Sequence, residues 1–344
     1  MKIGSCIHIF VLLTIATCQP ACKREIPVET VAATIPRIIE PAQAYRLLDS
    51  LTDVSIIEVS QPDDFALGHL PGALRLWRPD YEDHDNYPYE GMRATQAQME
   101  ALLSRLGVKS GQFILLYDRS GNVESLRLAW LLDLYGHREW CIMNGGIVAW
   151  QQEGFPISDK QSTPIATTYR FAGAPAQEQM VADMEEVLAA LQDTNVVLLD
   201  TREEEEYLGL PYIDKGEAHP WKKGAATFGR IPGAVHINWS EAVELDVDHR
   251  LKSLRALRWN FTSRGITPDK KIITYCQSGV RSAHTTFVLK EVLGYPEVKN
   301  YDGSWIEWSY HYKKQQDVPI TQELTELQHQ ERLMALKKVL SARL

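Results

Sequence analysis

The second half of this chain restates the first. Asp118 and Cys276 stand at matching positions. Three residues further on, Gly121 matches Gly279; eighteen on, Gly136 matches Gly294; thirty-two on, Trp150 matches Trp308. The segments around them, Leu115-Leu116-Tyr117-Asp118-Arg119-Ser120-Gly121 and Ile273-Thr274-Tyr275-Cys276-Gln277-Ser278-Gly279, share an apolar run, a tyrosine and a Ser-Gly loop. Upstream, Ile56-Ile57-Glu58 mirrors Leu198-Leu199-Asp200, and Gly68-His69-Leu70-Pro71-Gly72-Ala73 mirrors Gly229-Arg230-Ile231-Pro232-Gly233-Ala234. Order and spacing held this far imply two copies of one domain.

Each copy reads as alternating strands and helices. A helix (42–49; 184–191) precedes a buried strand (55–59; 196–199). The Pro-Gly-Ala turn leads into a short strand such as 235–237, and in copy one a helix follows at 95–106. Then come a central strand, a loop and the helix behind it, and a last strand at 298–301. This alternation predicts an α/β fold with a mainly parallel sheet flanked by helices on both faces. Ligands of such sheets bind beyond the carboxyl ends of the strands.

The 344 residues suffice for two ordinary domains. The net charge of -9 comes without a dominant basic block, which argues against nucleic acid as a main partner. Residues 1–22 read as an export signal, with Lys2 followed by a mostly apolar run at 7–16 that is too short to span a bilayer. Ile15-Ala16-Thr17-Cys18 resembles a bacterial lipid-attachment box, which would anchor an exported, periplasmic or outer-surface protein through Cys18. Cleavage near Ala16 or Ala21, or an uncleaved anchor, is the alternative. Of five cysteines, Cys6, Cys18 and Cys22 lie in or near this segment, leaving Cys141 and Cys276 in the folded part. Two cysteines are no disulfide framework. Cys141, in Trp140-Cys141-Ile142-Met143, reads as a buried strand residue.

Chemistry concentrates in Cys276-Gln277-Ser278-Gly279-Val280-Arg281. The apolar run 271–275 precedes it and a helical stretch from Ser282 follows it. A loop between a strand and a helix start turns backbone N–H groups toward one point, and the helix adds positive partial charge. A thiol there ionises below its free value of about 8.5, and Arg281 adds a fixed cation. No zinc-ligand spacing, phosphate-binding loop or dinucleotide fingerprint occurs, so the sequence calls for no metal or organic cofactor.

Taken together, Leu199-Asp200-Thr201-Arg202, the Gly229–Ala234 turn, the Cys276–Ser282 loop and Asp302-Gly303-Ser304-Trp305 resemble the rhodanese sulfurtransferase superfamily in its tandem form, over about residues 36–312. The resemblance implies a catalytically inactive domain at 36–155, because Asp118 stands where the nucleophile would be. It implies a catalytic domain at 181–312; composition marks 156–180 as a linker and 321–344 as a C-terminal helix that caps domain two or binds a partner. Copy two carries an insertion near 210–228. The resemblance further implies that Cys276 takes sulfane sulfur as a persulfide from a small anion such as thiosulfate and passes it to cyanide or a thiol. Arg202 would contact the anionic donor. Asp200 would orient the loop or pair with an arginine such as Arg281. Gln277, Ser278, Gly279, Val280 and Ser282 would line the loop, with Ser282 either a hydrogen-bond donor or merely the cap of the next helix. Arg230 replaces the family's usual histidine, and Lys222 and Lys223 either steer anions or are solvated. A monomer is expected. The rival readings are a persulfide carrier serving a protein partner, and a phosphatase or arsenate reductase, for which the four residues between Cys276 and Arg281 are one too few.

Overall fold

The computed structural model describes residues 35–172 and 177–342. The segment read as an export signal, Cys18 included, lies outside the described residues. Twelve strands are described: β1 Ile38–Ile39, β2 Val54–Val59, β3 Leu74–Leu76, β4 Phe113–Tyr117, β5 Trp140–Met143, β6 Val181–Ala182, β7 Val196–Asp200, β8 Tyr212–Asp214, β9 Glu217–His219, β10 Val235–His236, β11 Lys271–Tyr275 and β12 Val298–Tyr301.

The repeat is realised as two five-stranded, wholly parallel sheets. The first runs β1-β5-β4-β2-β3 and the second runs β10-β7-β11-β12-β6, the same order read from the other edge. β4 and β11 are therefore equivalent central strands. All five residues of β4 are buried, and so are Ile272 to Tyr275 of β11, because helices cover both faces. Caps written in the sequence set the helix starts. Thr95 and Gln98 form a capping box before Gln96–Arg105; the Asp183 side chain accepts from the N–H of Glu186 ahead of Met184–Ala190. The matching tryptophans do matching work: Trp150 Nε1 donates to Pro156 O at 2.9 Å and Trp308 Nε1 to Pro319 O at 2.8 Å.

The two domains meet through the helices that follow their central strands, Val123–Leu134 and Val280–Phe287. Every residue of Val123–Leu134 is buried, which explains its lack of amphipathic pattern. Asp302 of domain two lies 2.6 Å from Arg127 Nη1 and 3.1 Å from Arg93 Nη1, both from domain one. Each domain also lends a loop to the other. Residues 87–93 of domain one lie over the Cys276 loop, with Tyr89 Oη donating to Glu307 at 2.7 Å. Gly91 approaches so closely that a Cβ there would stand 2.7 Å from the Ser278 Cβ. In return, residues 243–251 of domain two cover the Asp118 loop; the Leu251 N–H donates to Asn144 Oδ1 at 3.0 Å.

Two stretches carry more structure than their composition suggests. The segment after Pro156 packs on domain one, burying Tyr169 and Phe171. The insertion of copy two contains the antiparallel hairpin β8–β9, unforeseen in the sequence. The C-terminal helix, Glu326–Ser341, lies against this hairpin: buried His329 stacks on Phe228 at 4.0 Å and its Nε2 meets Pro220 O at 3.0 Å.

Candidate active site

Cys276 follows the last residue of β11, at the carboxyl end of the central strand of the second sheet. Its loop is fixed from behind. Ser304 Oγ accepts the N–H groups of Cys276 and Gly279, both at 3.1 Å, and donates to Tyr301 O at 2.7 Å. The carbonyls of Cys276 and Gln277 accept from the N–H groups of Trp305 and Ile306. These carbonyls are held outward, and the N–H groups of Ser278 and Ser282 help to lower the Cys276 pKa. Gly279 takes φ 78° to start the helix, and a Cβ there would meet Asp302 O at 2.7 Å, so the turn requires glycine.

Copy one shows what such a cradle holds. There the Asp118 carboxylate accepts the N–H groups of Ser120 and Asn122 at 2.8 Å on one oxygen and those of Glu124 at 2.8 Å and Ser125 at 3.0 Å on the other. This fully buried carboxyl is thus wrapped by loop and helix-start amides, which offset only part of the burial that raises its pKa. In copy two the sulfur occupies the equivalent place.

The electrostatics favour a thiolate. Burial by itself would raise the Cys276 pKa, but the Arg281 guanidinium, the Ser282 hydroxyl and the N–H groups of Ser282 and Ser278 outweigh it and bring the thiol below its ordinary range. Ser282 is fully buried, with its Oγ 3.5 Å from Sγ. It lies inside the helix, whose N-cap is Gly279, so it is a hydrogen-bond donor rather than a cap. Arg281 is held in a bidentate grip by Glu206, at 2.6 and 3.0 Å. Burial pushes Glu206 up, and Arg281 more than offsets this, so Glu206 stays ionised below the usual carboxylate range.

Arg202 and Asp200 are arranged differently from the expectation. Arg202 is fully buried, with Nε 2.9 Å and Nη2 2.5 Å from the Asp200 oxygens, Nη2 also 3.0 Å from Gly229 O, and its guanidinium 4.8 Å from the Trp305 ring centroid. Asp200 pairs with Arg202, not Arg281, and also accepts from Tyr275 Oη at 2.7 Å. Burial disfavours a lone guanidinium, so Arg202 turns inward to the one carboxylate beside it. The pair is a strut tying β7 to β11 and to the Gly229 turn. The helix after β7 is capped by Glu203 with Glu206. Arg230, at the family's usual histidine position, pairs with Glu323 of the tail.

Cys276 lies on the floor of a cleft of about 550 Å³ between the domains, although its own side chain has 0% exposure. Gln277, Ser278, Val280 and Arg281 line the same cleft, as do Lys222 and Lys223. Gln277 Nε2 donates to the carbonyl of Lys223 at 3.1 Å and so clips the insertion to the loop. The lining also includes Arg78 and Glu124 of domain one, which sequence reasoning missed. Arg78 Nε donates to Glu124 Oε2 at 2.6 Å. The signal was faint: a Trp-Arg-Pro run after β3 gives no hint that it crosses to the other domain's cysteine. Cys141 is buried in β5, and burial pushes its thiol above the ordinary range.

Comparison with known proteins agrees with this geometry. The rhodanese-like domain matches residues 40–153 and again 183–311. A thiosulfate sulfurtransferase of Azotobacter vinelandii is 32% identical over 283 residues, 81% of this chain and 96% of that protein. The sulfur carrier protein TtuD of Thermus thermophilus is 34% identical over 262 residues, 74% of this chain and 87% of its own. Among solved structures, EanB in complex with hercynine superposes with a TM-score of 0.70 at 22% identity, over 84% of this chain and 70% of that one, a likeness of fold. Two matched domains, full-length relatives and a cysteine loop in the second copy make one conclusion: the chain belongs to the rhodanese-like family of sulfurtransferases, as a tandem of two of its domains.

Proposed function

We propose that Cys276 moves sulfane sulfur from thiosulfate to cyanide or a thiol, with domain one as an inactive partner that walls the site. The Cys276 thiolate attacks the outer sulfur of thiosulfate. The sulfur–sulfur bond of the donor breaks and sulfite leaves with the electron pair, so the enzyme becomes a Cys276 persulfide. The acceptor then attacks the outer sulfur, and the thiolate departs in its original form. This is double displacement, with ping-pong kinetics.

One observation carries the reading: Cys276 stands where copy one has Asp118, with the Ser282 hydroxyl 3.5 Å from its sulfur and the Arg281 guanidinium bringing the thiol below its ordinary range. Prearranged N–H groups stabilise negative charge at the sulfur without reorganising during reaction. Arg281 adds charge while Glu206 fixes its direction. Arg202 and Asp200 act as positioning residues. Ser278, Gly279, Val280 and Ser282 shape the cradle, and Gln277 fastens its outer edge. Four residues between Cys276 and Arg281 make a ring suited to one sulfur atom rather than a phosphoryl group. We further propose that the chain is exported, on the strength of its apolar N-terminal run.

A steady-state thiocyanate assay tests the reading. Cys276→Ser is expected to abolish turnover, and Asp118→Ala to retain it per folded molecule. Undiminished turnover in the serine variant overturns the assignment. The carrier reading is favoured by the likeness to TtuD. It predicts stoichiometric persulfide without thiocyanate turnover.

A further inference from the structure

Beside the Cys276 cleft lies a second cavity, of about 400 Å³, that domain one has no means to build. Its walls come from the insertion (Tyr212, Trp221, Phe228) and from Leu336 of the C-terminal helix, with Trp305 at its back. Both elements are specific to the second half of the chain, and they are fastened together through His329, Phe228 and Pro220. The cavity adjoins the cleft directly: Glu203, Tyr212, Lys222 and Gln277 line both. Its size is at the lower end of small-molecule sites.

The character of this cavity differs from that of the sulfur cradle. Its wall is largely aromatic and aliphatic. Of its charged lining residues, Arg202 is neutralised by Asp200, and Glu206 and Glu203 share Arg281. Glu205 is exposed and, among the described residues, has no cation within ion-pair distance, whereas Lys222 lies over the Tyr212 ring at 4.5 Å. Thiosulfate, small and doubly negative, gains nothing from apolar walls and is disfavoured by carboxylates. The complementary ligand has a ring-sized apolar body and no negative charge.

We propose that this cavity is the acceptor subsite, taking a thiol with an aromatic or bulky aliphatic body that is uncharged or cationic. The proposal rests on the persulfide chemistry of Cys276 stated above. With the body in the cavity, the acceptor thiolate enters the cleft past Gln277 and attacks the outer sulfur of the Cys276 persulfide. The new bond forms between the acceptor sulfur and that sulfur, the bond to Sγ breaks, and Cys276 leaves as thiolate. The persulfide proton stays with the transferred sulfur, and no oxidant or reductant is consumed.

The test compares benzenethiol, 4-mercaptobenzoate and cyanide as acceptors with thiosulfate as donor, in the full chain and in Trp221→Ala, Leu336→Ala and Glu205→Gln. Benzenethiol is expected to exceed 4-mercaptobenzoate in kcat/KM by about tenfold at equal thiolate concentration. Trp221→Ala and Leu336→Ala should raise KM for benzenethiol by a similar factor and leave the KM for cyanide and the rate of persulfide formation unchanged. Glu205→Gln should narrow the gap between the two thiols. If benzenethiol and 4-mercaptobenzoate react alike, or if the variants change cyanide and thiol kinetics equally, the subsite is overturned while the Cys276 chemistry stands. Loss of persulfide formation in the unmodified chain would instead overturn the chemistry itself.

Discussion

Arg127 should behave as a keystone of the Cys276 loop although it belongs to domain one. Its Nη1 lies 2.6 Å from Asp302 and 3.5 Å from Gly279 O, and both charged side chains are 1–2% exposed. Burial pushes the Asp302 carboxyl up, but Arg127 and Arg93 more than reverse this and hold it below the usual carboxylate range. Arg127→Met leaves that carboxylate buried with one cation fewer. Removing one partner of a buried pair costs about 3–5 kcal/mol. Arg93 still donates twice to Asp302, from its N–H and from Nη1, both at 3.1 Å, so the loss should sit near the lower end, about 3 kcal/mol. Pairing Arg127→Met with Asp302→Asn removes the stranded charge and should restore at least half of the loss, because Arg93 is partly solvated and does not need the carboxylate. Urea unfolding followed by tryptophan fluorescence reads both quantities. The single variant should also shift its acid limb: a depressed carboxyl stabilises the fold above its unfolded pKa and ceases to as pH falls through the folded one. With Arg127 gone the folded pKa rises, and the loss begins at higher pH. A destabilisation below about 1 kcal/mol, or a double variant as unstable as the single, would refute the reasoning.

Three other outcomes follow from the same geometry. Alkylation of Cys276 by iodoacetamide should show a midpoint below the free-thiol value of about 8.5, and Arg281→Met combined with Glu206→Gln should move it upward; an unmoved midpoint would remove Arg281 from the account. Asp118→Ala orphans buried amides at about 1–3 kcal/mol each, so differential calorimetry should find it markedly less stable than Asp118→Asn while both keep sulfur transfer per folded molecule. His284, fully buried edge-on against Trp239, has its pKa pushed by burial down to about 4. Because the unfolded chain takes the proton first as pH falls, stability should hold above about pH 6.5 and drop by roughly 3 kcal/mol toward pH 4, a decline that His284→Phe should flatten in acid titration.

The repeat made the architecture legible. Matching Asp118 to Cys276 already fixed which strand is central in each half, and both sheets take the same parallel order. The cysteine loop was legible for the same reason: an apolar run ending at Tyr275 and a glycine at 279 leave little choice but strand, turn and helix. What escaped were features decided by long-range pairing. Nothing local says that Arg202 turns inward to Asp200; that follows only from its burial beneath Trp305. Arg78 reaches the Cys276 cleft from the other domain, and the Asp302–Arg127 pair joins residues far apart in sequence. The hairpin β8–β9 is three residues a side, too short and too polar for alternation to register. Ser282 looked like a helix cap because it follows the loop; the glycine three residues earlier, free to adopt positive φ, starts the helix instead.

The central claim is that the sulfur at position 276 carries the transferred atom. Mass spectrometry of the protein after brief exposure to thiosulfate, under non-reducing digestion, tests it most directly. The account predicts a gain of about 32 Da on the peptide containing Cys276, none on the peptide containing Cys141, and its disappearance on adding cyanide. An unmodified Cys276 peptide, or a gain that cyanide fails to remove, would contradict it.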